Sequence, residues 1–181
     1  MRTLTCPPTG EVLGVNIIAW VENLQSDETR PIMQKYELLN PVPDKWYPTH
    51  LLMDSLNEMA QQANVTSNYV AIGMQVGKIC PMPPELTDPD VGQVLSVWDS
   101  IYQSLHRSGD VGRICCEKMG DKDYKVTFTD LYPDDFSYGI MYGYAKRFLP
   151  QGTHFKVFYD PNVTPRDNGG TGATVIHLTW D

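Results

Sequence analysis

Three sets of residues have types and spacings that could do chemistry. His106, in "IYQSLHRSGD", stands one helical turn after Tyr102 and next to an apolar stripe that ends at Leu105. An imidazole there can complement the carbonyl end of a helix, make a polar contact to a bound molecule, or ligate a metal or haem iron. Cys115 and Cys116 are neighbours, so on a strand they face opposite sides. Cys116 then serves as a small apolar filler, and Cys115 lies exposed between Arg113 and Glu117.

The third set carries no reactive group. Gly139 and Gly143 sit four apart in "YGIMYGYAKRF", and Gly73 and Gly77 repeat that spacing. Each glycine inside a helix costs about 1 kcal/mol relative to alanine. In return, a pair at i and i+4 clears a strip along one helix face where a backbone, a ring or a ligand can come close. Tight packing of the helix is one reading. A ligand on the strip is the other, with Tyr138, Tyr142, Tyr144, Phe136 and Phe148 as aromatic surroundings.

Other candidates are weaker. "NGGTG" precedes a strand and has no phosphate-loop lysine, so it reads as a turn. The acidic groups of "LTDPD" and "DLYPDD" read as caps and solvated loop positions. His50, His154 and His177 are isolated, the last two as exposed strand residues. Cys6, Cys80, Cys115 and Cys116 have no CxxC spacing for zinc, and in a reducing compartment they stay thiols. No Ser-His-Asp or Cys-His arrangement follows from spacing, so the expectation is a non-enzymatic domain.

The elements that must hold these residues follow from hydrophobic period. Ile17, Ile18, Val21 and Leu24 mark a first helix after Gly14, and Pro31, Ile32, Tyr36 and Leu39 a second, short one. "NPVPDKWYP" reads as a loop, with Trp46 able to fold over a pocket. Leu52, Leu56, Met59 and Ala63 predict a helix over about His50–Asn64, followed by another over about Asn68–Cys80. The apolar stripe Val91, Val94, Leu95, Trp98, Ile101, Tyr102 and Leu105 predicts a helix stopping at Ser108-Gly109. The period then changes to two. "GRICCEKM" and "DYKVTFT" form a hairpin, a helix covers about Asp134–Leu149, and "HFKVFY" pairs with "ATVIHLTW" across a long turn-rich loop. The fold class is α+β: a helical N-terminal half, then strand-strand-helix-strand-strand, with a four-stranded antiparallel sheet covered by helices on one face.

The 181 residues are 41% hydrophobic and 20% charged, enough for one domain with a real core. A net charge of -8 with no basic run excludes a phosphate-tracking surface, so no nucleic-acid partner is expected. Neither a secretory leader nor an eighteen-residue apolar stretch is read in the sequence, so a cytoplasmic chain with no membrane span is expected.

This layout, with "LYPDDFSYGIMYGYAKRF" and the closing "GGTGATVIHLTW", resembles the ligand-binding fold shared by haem–nitric-oxide-binding (H-NOX) domains, 4-vinyl-reductase domains and TRAPP subunits. The H-NOX resemblance implies haem on a histidine, with His106 near the expected position. The Tyr-x-Ser-x-Arg motif that fixes haem propionates is not present, and "LYPDDF" stands in that stretch. The 4-vinyl-reductase resemblance implies a small apolar ligand; its zinc cysteines have no counterpart after Cys116. The TRAPP resemblance implies a dimeric scaffold.

The expected function is therefore a non-enzymatic sensory or small-molecule-binding domain. Its largely apolar ligand would sit between the helices of about Val91–His106 and Asp134–Leu149 and the concave sheet face, on Trp98, Tyr102, His106, Tyr138, Tyr142, Gly139 and Gly143. Output would pass to a homodimer or partner protein. A filled dimeric scaffold and a haem-based gas sensor using His106 are the alternatives.

Overall fold

The computed structural model describes residues 1–23, 29–62 and 65–181. Leu24, Ala63 and Asn64, expected on helical faces, lie outside the described residues. Among the described residues, six α-helices follow the predicted order: α1 (Gly14–Asn23), α2 (Thr29–Lys35), α3 (Thr49–Met59), α4 (Val65–Ile79), α5 (Val91–Ser104) and α6 (Asp134–Phe148). None is long and apolar enough to cross a membrane.

Local chemistry explains their ends. Asp90 caps α5 by accepting from the Gln93 N–H at 2.8 Å, and Gln93 accepts from the Asp90 N–H at 2.9 Å, a reciprocal capping box. α4 stops where "CPMPP" begins, because proline carries no N–H for the next turn. Leu86 and Asp90 then turn the chain into α5.

The second half contains the expected antiparallel sheet of β4 (Ile114–Gly120), β5 (Asp123–Phe128), β6 (Phe155–Tyr159) and β7 (Thr174–Trp180), in the order β4-β5-β7-β6. Register puts Ile114 opposite Phe128, Cys116 opposite Val126, and Val157 opposite Leu178. These residues share the face that meets α5 and α6, and Val126, Phe128, Ile176 and Leu178 are fully buried there. Burial pushes the Cys116 thiol up to about 11, as suits an inert filler.

A second sheet was not legible in the sequence. β1 (Glu11–Leu13) pairs with β2 (Trp46–Pro48) on one side and β3 (His106–Arg107) on the other, all antiparallel. Strands of two and three residues are too short to show a period of two. Trp46 is correspondingly not a lid: it lies on β2 under the Arg107 guanidinium, 4.3 Å from its ring centre.

α6 sits between layers. One side faces α4, another faces β6 and β7, and Phe136, Ile140 and Tyr144 turn toward α1 and α5. A helix buried on several sides lacks a polar stripe, which explains its aromatic composition.

Candidate functional site

The glycine strips face each other. A Cβ built on Gly143 would stand 2.5 Å from the Met74 carbonyl oxygen and 3.0 Å from the Gly77 Cα, and one on Gly77 would stand 2.5 Å from the Ile140 carbonyl oxygen. Gly139 meets Val70 and Gly73, and Gly73 meets Phe136 and Gly139, in the same way. Backbone therefore fills both strips. The expectation of a ligand on Gly139 and Gly143 is corrected: α4 occupies that surface, and neither strip is available to a second copy.

Tyr138 and Tyr142 also point elsewhere. The Tyr138 hydroxyl donates to the Val157 carbonyl at 2.9 Å and its ring stacks on Tyr159. Tyr142 meets Phe155 edge-on at 5.0 Å and carries Lys146 over its face. Both tie α6 to the sheet, because at i and i+4 they share a helix side that is not the cleft side.

The cleft is formed by α1, the end of α4, the Pro81–Pro83 segment, α5 and α6, with a cavity volume of ≈ 460 Å³. Ile18, Val76, Ile79, Met82, Ile101 and Ile140 contribute to its apolar wall, and Trp98 and Tyr102 are in the lining too. The sheet contributes Ile114, so the walls are helices and not the concave sheet face. Val15 and Ile79, which are exposed, mark its mouth.

One stretch, "DLYPDDFS", brings three polar side chains to the cleft. Asp130, Tyr132 and Ser137 line it, with Asn16 and Glu22 from α1 and Ser104 from α5 as further polar lining residues. Ser137 Oγ donates to Asp130 Oδ2 at 3.1 Å. Arg166 donates to the other Asp130 oxygen at 2.8 Å and to its carbonyl at 2.8 Å, and reaches Asp134 at 2.7 Å. Thr174 and the Asp167 N–H bind Asp134 Oδ2 at 2.6 and 2.8 Å, and Arg2 joins through Asp167 at 2.7 Å. The reading of these acids as solvated loop positions is corrected: Asp130 and Asp134 are buried, at 5% and 1% exposure.

Burial pushes the Asp130 carboxyl up despite Arg166. For Asp134 burial also pushes up, but the Thr174 hydroxyl, Arg166 and the Asp167 N–H outweigh it and hold the carboxyl below its ordinary value. The cluster escaped sequence reasoning because Arg166 and Thr174 lie 32 or more residues from the Asp130 and Asp134 carboxylates that they bind.

His106 is behind the cleft wall. It lies on β3, not in the last turn of α5, because the Leu105 carbonyl and the His106 backbone are taken up by β1. Its Nδ1 is 2.7 Å from the Tyr102 carbonyl, which can only accept, so Nδ1 carries the proton and Nε2 accepts from the Tyr132 hydroxyl at 2.9 Å. The Asn16 side chain donates in turn to the Tyr132 oxygen.

Burial pushes the His106 imidazole below its ordinary value, although the bond to Tyr102 pulls the other way. A histidine held neutral in the fold supports stability above its unfolded value of about 6.5 and loses that support as pH falls through the folded value. Unfolding free energy measured against pH is therefore expected to decline below about pH 6.5, and His106→Gln should remove that component while costing about 2 kcal/mol at pH 7.5. An unchanged pH slope in the variant would count against this assignment.

A Cs H-NOX mutant carrying 4-cyano-L-phenylalanine superposes with a TM-score of 0.68 at 12% identity, over 93% of this chain and 96% of that one. An oxygen-binding H-NOX domain related to soluble guanylate cyclases gives 0.65 at 12% identity, over 93% and 94%. The fold is that of H-NOX domains. A mutant of T. Tengcongensis H-NOX gives 0.67 at 12% identity, over 93% and 97%. No protein-family model matches the sequence, and no curated protein does either. The H-NOX likeness thus spans nearly the whole chain at the level of fold.

Proposed function

We propose that this H-NOX-fold chain is a small-molecule-binding domain of sensory type that holds a largely apolar ligand in the α1/α4/α5/α6 cleft. The observation that carries this reading is the cleft itself: a ≈ 460 Å³ cavity with aliphatic and aromatic walls and a few polar groups gathered on Asp130 and Ser137. Such volume and lining are typical of sites that enclose small ligands. Trp98 and Tyr102 form part of the wall, and Tyr132 with His106 behind it sets the position of that wall. Output would pass to a partner protein or a second copy. The scaffold alternative draws on the glycine strips being packing devices, but it does not account for a cleft of this size.

Haem is the group that the fold suggests, since one of the similar H-NOX structures probes the function of haem distortion. The residues present do not fit it. Both ring nitrogens of His106 are engaged, and Tyr102 and Tyr132 stand around the imidazole at ring-centre distances of 4.5 and 5.7 Å. Among the described residues that line the cleft, none is a lysine, arginine or histidine that could meet a propionate. Among the described residues there is also no group of three or more His, Cys, Asp or Glu suited to a metal ion.

Nile red enhancement, together with native mass spectrometry of the purified protein, tests the reading. The wild type is expected to light the dye and to carry or accept a small apolar mass. Ile101→Trp, which fills the cleft from its half-buried α5 wall, should lose both while keeping its circular dichroism. Equal dye enhancement in wild type and variant would overturn the assignment. A Soret band that His106→Ala abolishes would replace it with the haem sensor.

A further inference from the structure

We infer that the cleft selects neutral or cationic amphiphiles, such as an alcohol or amine on a hydrocarbon body, and rejects carboxylates; this rests on the ligand-binding reading above. Glu22 of α1 stands at the rim and Asp130 lines the interior, and the described lining holds no basic side chain.

Arg166, Arg2 and Arg147 are committed to other partners. Arg166 lies behind Asp130, where its guanidinium is divided between Asp130 and Asp134. Arg2 is divided between Asp134 and Asp167. Three carboxylates thus share two guanidiniums, so with all three ionised the cluster keeps one uncompensated negative charge. Arg147, at the end of α6, is turned onto the Cys80 carbonyl at 2.7 Å and onto the Phe148 ring, and it is not in the lining.

Hydrogen-bonding capacity points the same way. Each Asp130 oxygen has one side-chain donor, Arg166 or Ser137, and a carboxylate oxygen can accept more than one. A ligand hydroxyl or ammonium can therefore donate to this carboxylate. A ligand carboxylate would have to pass Glu22 at the rim and lie against the acidic cluster in an apolar surround, with no basic side chain in the described lining to meet it. The apolar wall holds the hydrocarbon in either case, so the head group decides between ligands of equal chain length.

Isothermal calorimetry with three twelve-carbon probes, each below its micelle-forming concentration at pH 7.4, separates the possibilities: dodecylamine, 1-dodecanol and laurate. Dodecylamine and 1-dodecanol are expected to bind at least tenfold more tightly than laurate. Glu22→Lys at the exposed rim should narrow that ratio without loss of fold, and Asp130→Asn should narrow it further if that variant folds. Laurate binding as tightly as the amine would overturn the selectivity while leaving the binding reading in place. Failure of all three probes to bind would remove both.

Discussion

Gly143→Leu is expected to cost this protein about 3 kcal/mol or more, at the upper end of what overpacking costs. A built Cβ at that position already stands 2.5 Å from the Met74 carbonyl oxygen, and leucine adds three further carbons along the same direction. The obstacle is main chain on both sides, so no rotamer change relieves it. α4 and α6 would have to move apart along their whole crossing, since Gly73, Gly77, Gly139 and Gly143 all contribute to it. Gly139→Ala is the milder version and should still destabilise measurably. Urea unfolding midpoints of both variants check this; a loss below about 1 kcal/mol for Gly143→Leu would mean that the helices are not held at this distance.

Arg166→Met should be equally damaging for an electrostatic reason. It keeps most of the side-chain volume but leaves Asp130 and Asp134 buried without their shared cation. Removing one partner of a buried ion pair costs about 3–5 kcal/mol, largely because the remaining charge has no compensation. The pH dependence distinguishes this from lost packing. In the wild type, Asp134 is held below its ordinary value, so its support is present above the unfolded value and is lost as pH falls through the folded one. In the variant, burial acts without Arg166 to oppose it and the carboxyls bind protons more readily when folded. The stability gap between the two proteins should therefore narrow from pH 7 toward pH 4. A constant gap would assign the loss to packing.

Much of the framework was legible because it rests on local signals. The apolar stripe of α5, the change of period after Gly109 and the alternation of "DYKVTFT" and "HFKVFY" identify elements from neighbours in sequence. The glycine spacing also announced a close approach, and the partner of each strip proved to be the other one. What spacing cannot give is direction around α6. Tyr138 and Tyr142 point to β6, while Ile140 and Tyr144, only two residues further on in each case, line the cleft.

The misplacement of His106 has a related cause. Its helical spacing from Tyr102 is real, but the stop signal at Ser108-Gly109 lies beyond the point where β1 takes the chain for its own ladder. Pairing with Glu11 and Val12, some 95 residues earlier, overrides the local preference. The Asp130–Arg166–Asp134 cluster was hidden for the same reason: its charges look ordinary until the loop before β7 brings Arg166 beneath the start of α6.

The α4–α6 crossing bears on how the molecule can be divided. By chain order α4 belongs with the opening helices, and by contact it belongs to the strand-bearing part, where it meets α6 more extensively than any other element does. Expressing the two halves separately would expose a bare glycine face on each fragment. A split-protein pair cut in the Pro81–Pro89 segment should consequently reassemble on mixing, with that face as the seam.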